Sequence, residues 1–212
     1  MDIEFFNKYL ASIKNKDRIM AKKHIDKFIK SFANYEEKEA FTKVYLSDLE
    51  KREYKHIRHE LFVNIVFPVL LNGYNNKDIQ SMIWITKFIY DFYNHDSLCK
   101  QNGFYIGYEL RHKHKMLLEE CYEIAPDNEE VYKLYVEMKI EDINSSIYWI
   151  NSGKKGIGHN VNSLLDMINV FKNIDKNKIY ENIITECENK AKEYVNAIEK
   201  LDELKEIGLM LK

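Results

Sequence analysis

The stretch Ile57-Arg-His-Glu-Leu-Phe-Val-Asn-Ile-Val-Phe-Pro-Val-Leu-Leu71 limits what this chain can fold into more than any other. From Leu61 to Leu71 only Asn64 is polar, so a helix on this run is apolar around nearly its whole circumference and has to be enclosed by other helices. A bilayer span takes roughly 20 apolar residues, and this run is closed by Arg58, His59 and Glu60 before it and by Asn72-Gly73 after it. It predicts the buried centre of a soluble all-α domain.

Composition agrees with that class. The 212 residues include only two prolines and seven glycines, which favours long helices over turn-rich sandwiches and barrels, and 45% hydrophobic residues furnish a core. The expectation is a single all-helical domain over residues 1–212, a bundle or array of helical hairpins with a long C-terminal helix. Thirteen per cent aromatic residues exclude disorder.

A net charge of -2 excludes a strongly basic protein made for nucleic acid or anionic membranes. Charge is nonetheless unevenly placed. Bases dominate Lys8 to Lys30, whereas Glu119 to Asp142 holds nine acids against Lys133 and Lys139 alone. Cys99, Cys121 and Cys187 are odd in number and lack a CxxC pair, which points to reduced thiols, a cytoplasmic location and neither a disulfide framework nor a zinc site. The N-terminus lacks the basic-then-apolar pattern of a signal peptide.

Apolar spacing divides the chain into about eight or nine helices. Ile3, Phe6, Leu10 and Ile13 share one face of the first. Asp17 opens a second, buried through Met20, His24 or Ile25, Phe28 and Phe32, and Glu36 to Tyr54 makes a third that could run on into the central stretch. Pro68 should kink or restart the central helix, and Asn72-Gly73 should end it. Asp78 caps a helix reaching Tyr93, so apolar that it is the natural partner of the central one. Together they give an expected core of Leu61, Phe62, Ile65, Val66, Val69, Ile79, Ile83, Ile85, Phe88 and Ile89. Residues 94–103 read as a loop, Phe104 to Ile124 as a helix and Pro126-Asp127-Asn128 as a sharp junction. Ile184, Cys187, Ala191, Tyr194, Ile198 and Leu201 form a narrow seam on a long final helix, Lys176 to Glu206, of the kind that more often packs within its own chain than across a dimer.

Several patterns carry chemistry in other proteins. Gly153 to Gly158 is glycine- and lysine-rich, but it is not a phosphate-loop motif and it follows a helix instead of a strand. His59-Glu60 begins a zincin motif, and Val63 stands where the second histidine would have to be. Glu53-Tyr-Lys-His56 and Glu109-Leu-Arg-His112 are two Glu-x-x-His units on separate predicted helices. That spacing projects a carboxylate and an imidazole from one helical face, and in it the chain resembles ferritin-like di-iron bundles, which would imply Glu53, His56, Glu109 and His112 as metal ligands. The Arg18…His24 and Arg52…His59 spacings resemble the arginine–histidine signature of HEPN-type helical ribonucleases.

Around Pro126, with Cys121, Leu118 and Tyr105 at fixed distances before it, the chain is similar to one tetratricopeptide hairpin of about 34 residues, with no second copy at that period. The all-helical, Lys-, Asn- and Ile-rich character, together with Leu117-Leu-Glu-Glu-Cys-Tyr-Glu-Ile-Ala-Pro-Asp127, resembles the helical immunity proteins encoded beside bacterial contact-dependent inhibition and polymorphic toxins. That resemblance implies a binding protein without catalysis or cofactor. Its partner would be a cognate toxin domain, such as a nuclease, whose active site it covers; it would be a monomer with no membrane or direct nucleic-acid contact. An occluder of a basic nuclease cleft gains from an acidic face, so the expected partner-binding residues are Glu119, Glu120, Glu123, Asp127, Glu129, Glu130, Tyr132, Glu137 and Glu141, with Asp142, Tyr122 and Tyr135 beside them.

Overall fold

A computed structural model describes residues 1–52, 56–104, 110–151, 161–175, 178, 180–193 and 196. The chain is all-α, with no strand among the described residues. It divides into two compact units, Met1–Val131 and Tyr132–Lys212.

The first unit opens with α1 (Ile3–Lys14), α2 (Arg18–Lys30) and α3 (Tyr35–Glu50). Asp2, Asp17 and Asn34 cap them, each side chain accepting at 3.0 Å from an amide in the first turn. Three aromatic rings tie the helices together: Phe6, Phe28 and Phe41, one from each, have centroids 5.0–5.3 Å apart. On α1 the buried residue is Tyr9, while Ile3 and Leu10 stay exposed. The third helix stops at Glu50 and does not run on into the central stretch, because residues 56–58 are not helical.

The central stretch is helical from His59 to Asn75 in three parts: α4 (His59–Leu61), a π-helical turn (Phe62–Val66) and α5 (Phe67–Asn75). Pro68 explains the change of pitch. It has no amide for the Asn64 carbonyl four residues earlier, and the chain widens just before it, with Phe67 N–H donating five residues back to Phe62. Lys38 from α3 donates to the Asn64 carbonyl instead, at 3.3 Å.

Gly73 does not end this helix; α5 runs two residues further, to Asn75. A Cβ on Gly73 would lie 2.1 Å from Ser81 Oγ, so glycine is there to let α6 (Ile79–Lys87) approach. The partnership of the central helix with α6 is as the apolar run predicts. Nine of the ten expected core residues are buried, and Ile79 is half-buried at the start of α6.

The links α1–α2 and α5–α6 are the same tripeptide, Asn15-Lys16-Asp17 and Asn76-Lys77-Asp78. In each, the lysine has φ near +60° (59° and 57°) and its amide donates three residues back. The aspartate amide donates five residues back, at 2.9 Å, to Ser12 or Gly73. This closes a Schellman motif, after which the aspartate side chain caps the next helix.

The helix read as Asp78 to Tyr93 is two, α6 and α7 (Ile89–Asn94), broken at Phe88, whose φ and ψ of -108° and 23° are not helical. Thr86 Oγ1 donates to the Ile83 carbonyl at 2.7 Å, a bond that competes with the helical ladder just before the break. Residues 96–101, read as loop, form α8 (Asp96–Gln101), which buries Cys99 and carries an Asp96–Lys100 pair one turn apart. Gly103, at φ 77°, follows. Next comes α9 (Leu110–Ile124), a turn at residues 125–128, and the start of α10 (Glu129–Asn151), whose Val131 and Glu130 amides both donate to Asn128 Oδ1 at 3.1 Å.

The second unit contains α10 from Tyr132, α11 (Val161–Ile174) and a helical segment at residues 181–193. Val136, Ile143, Ile168, Phe171, Ile184, Cys187 and Ala191 form its core. The described part of the seam, Ile184, Cys187 and Ala191, is therefore packed within the chain; Tyr194, Ile198 and Leu201 lie outside the described residues. Buried Asp175 holds the turn after α11, accepting from Tyr132 Oη at 3.1 Å and from the Tyr180 amide at 2.8 Å.

Candidate functional site

Within the first unit, Glu119, Glu123, Asp127 and Glu129 are exposed, spread from the last turns of α9 across the Pro126 turn to the start of α10. Glu120 and Glu130 are half-buried and engaged. Glu120 pairs with Lys77; Glu130 pairs with Lys87, which also reaches Glu50 at 3.1 Å. Those two acids brace helices, whereas the other four face solvent. Tyr122 is half-buried among them. Within the second unit, Glu137 and Glu141 are exposed along one face of α10, and Tyr132 turns inward to Asp175. Asp142 and Tyr135, read from the sequence with the acidic face, are buried.

Of the paired Glu-x-x-His units, Glu53 and Glu109 lie outside the described residues. His56 sits in the non-helical residues 56–58, not on a helix as the pattern required, and His112 is exposed on α9. Among the described residues no group of three or more His, Cys, Asp or Glu side chains is placed to hold a metal ion. The glycine-rich segment Gly153–Gly158 also falls outside them.

The histidines and arginines of the central stretch form a site that no single motif announces. Asp91 of α7 is buried and accepts from the Ile57 amide at 3.2 Å; His56 Nδ1 lies 3.7 Å from the same oxygen. Burial pushes the Asp91 carboxyl above its usual range, against the pull of the Ile57 amide and of His56 and His95. His95 Nδ1 stands 2.7 Å from the Asp91 backbone carbonyl and its Nε2 stands 2.8 Å from His59 Nδ1. A carbonyl can only accept, so in neutral His95 the proton is on Nδ1 and Nε2 accepts from His59. The proton of neutral His59 is thereby fixed on Nδ1, leaving its Nε2 as an acceptor. Phe62 stacks on the His95 ring at 4.3 Å between centroids and holds its plane.

His59 also lines a pocket of about 410 Å³. Phe6, Tyr9 and Leu10 from α1 and Tyr45 and Leu49 from α3 form walls, and Arg52, His56, Ile57, Arg58 and Leu61 complete it. Arg52 and His59, seven positions apart in the chain, are thus brought to one cavity. Arg18 and His24 do not line it; Arg18 is exposed at the start of α2 and His24 is half-buried. Burial raises the phenols of Tyr9 and Tyr45, and the charge of Arg58 opposes the rise at both. Burial also pushes the Cys99 and Cys121 thiols up to about 12, so neither serves as a nucleophile near neutral pH.

No family model, curated protein or solved structure matches this chain. Its site therefore has to be read from its own geometry. Sequence reasoning missed Tyr9 of α1, Tyr45 of α3, Asp91 of α7 and His95 at the C-cap of α7, which no single motif relates. The one signal was the density of Arg and His between Arg52 and His59. No described helix is long and apolar enough to cross a membrane.

Proposed function

We propose that this is an immunity-type binding protein that neutralises a cognate toxin domain, a nuclease, by covering its active site. The observation that supports the reading is the exposed group Glu119, Glu123, Asp127 and Glu129 around the Pro126 turn. Nucleases attract phosphates with basic clefts, and an acidic surface gains both association rate and specificity against such a cleft. The job needs a stable helical scaffold and a charged face, with no catalytic group of its own.

The test is co-purification with the product of the neighbouring gene, followed by charge reversal of the exposed acids alone. Glu123→Lys, Asp127→Lys and Glu129→Lys together should slow association and reduce its dependence on salt while leaving the circular dichroism spectrum unchanged. Glu120 and Glu130 are kept, because their ion pairs with Lys77 and Lys87 belong to the scaffold. Unchanged affinity and salt dependence in the triple variant would remove this surface from the interface.

A further inference from the structure

We infer that the pocket between α1, α3 and the start of α4 binds a small phosphomonoester with a planar or apolar body, of the size of a nucleoside monophosphate. This reading is independent of the toxin-binding one and uses none of its residues. The cavity of about 410 Å³ lies within the range of small-ligand sites, which run from roughly 300 to 1,000 Å³. Its walls are apolar and aromatic, from Phe6, Leu10, Leu49 and Leu61, with the buried phenols of Tyr9 and Tyr45 among them. Its permanently charged groups are Arg52 and Arg58, with His56 and His59 beside them, and no described lining residue is acidic.

Two described acids lie close enough to act on the lining: Glu60, whose charge reaches Tyr9, and Asp91, whose charge reaches Tyr45. Asp91 is buried behind the pocket, where its Oδ1 is taken by the Ile57 amide and faces His56. No described carboxylate lies within ion-pair distance of either guanidinium. Two permanent cations at the edge of an apolar cavity call for an anion, and the charge decides which. A carboxylate carries one charge and leaves one guanidinium unmatched, whereas a phosphomonoester carries nearly two and presents three acceptor oxygens to the planar donor forks. His59, its tautomer fixed by His95, contributes a second kind of group, an Nε2 acceptor suited to a ligand hydroxyl.

The test is calorimetric titration of the full chain with AMP, and with adenosine, inorganic phosphate and benzoate in parallel. AMP should bind saturably, with an affinity that falls as salt is added. Adenosine and phosphate should each bind about tenfold more weakly or worse, since each lacks one half of the recognition. Arg52→Gln with Arg58→Gln should weaken AMP by about tenfold or more with the helical spectrum intact. Leu10→Trp, at a half-exposed wall position, should block AMP without altering any charge. Absence of saturable AMP binding, or equal AMP affinity in both variants, would overturn the assignment. Benzoate binding as tight as AMP would overturn the phosphate, and phosphate binding as tight as AMP would overturn the organic body.

Discussion

Lys38 Nζ stands 3.3 Å from the Asn64 backbone carbonyl, the one oxygen in the central helix that Pro68 has no amide to meet. The pairing is a side-chain substitute for a missing rung of the ladder. Lys38→Met should cost about 0.5–1 kcal/mol, the range of a partly exposed hydrogen bond from a charged donor. In a Pro68→Ala background, where an amide can return, the same change should cost close to nothing. A double-mutant cycle by urea unfolding measures the coupling, and additive effects would mean that Lys38 and Pro68 are unrelated.

Gly73 and Ser81 set how closely α5 and α6 approach. Alanine at 73 would place its Cβ 2.1 Å from Ser81 Oγ and 2.4 Å from Ser81 Cβ, on a serine that is buried and bonded to Asp78. Gly73→Ala should therefore destabilise by about 1–3 kcal/mol, the cost of overpacking. Adding Ser81→Gly should recover part of that loss. Thermal unfolding that is indifferent to Gly73→Ala would show that the two helices can slide apart freely.

Asp91 gives stability a pH dependence of predictable sign. Burial raises its carboxyl in the folded state above the unfolded value, near 3.9. The stability it contributes is therefore fully present below that unfolded value and is lost as pH rises through the folded one, where a buried group must ionise. Asp91→Asn keeps an oxygen for the Ile57 amide and removes the ionisation. Measured by urea unfolding across pH, the variant should gain on the wild type as pH rises from about 4 toward neutrality. A difference between the two proteins that does not change with pH would contradict the buried, raised carboxyl.

The sequence by itself determined the helical class, the buried centre and most of the local punctuation. Leu61 to Leu71 has only Asn64 to offer water, so a fold must cover most of it, and seven of its eleven residues are buried while Asn64 and Pro68 stay exposed. Asp17 and Asp78 cap their helices because a carboxylate beside unpaired amides is a local arrangement, made within three residues of the cap. The Asn-Lys-Asp links act equally locally, which is why one tripeptide yields one geometry twice. Where local signals conflicted, sequence reasoning went astray: residues 96–101 look like a loop by composition, yet burying Cys99 makes them a helix.

Only the tertiary structure decided the site. Tyr9, Tyr45, Arg52 and His59 span fifty positions and three helices, and helical periodicity relates a residue only to neighbours three or four places away. Which faces of α1 and α3 meet the start of the central helix depends on ring packing among Phe6, Phe28 and Phe41 and on the two links that set the helix directions. The same holds for Gly73, whose role is visible only once Ser81 of the next helix is in place. Asp91 reads as a solvated acid near a helix end, and becomes a buried one because the Ile57 amide, left unpaired by non-helical residues 56–58, needs an acceptor.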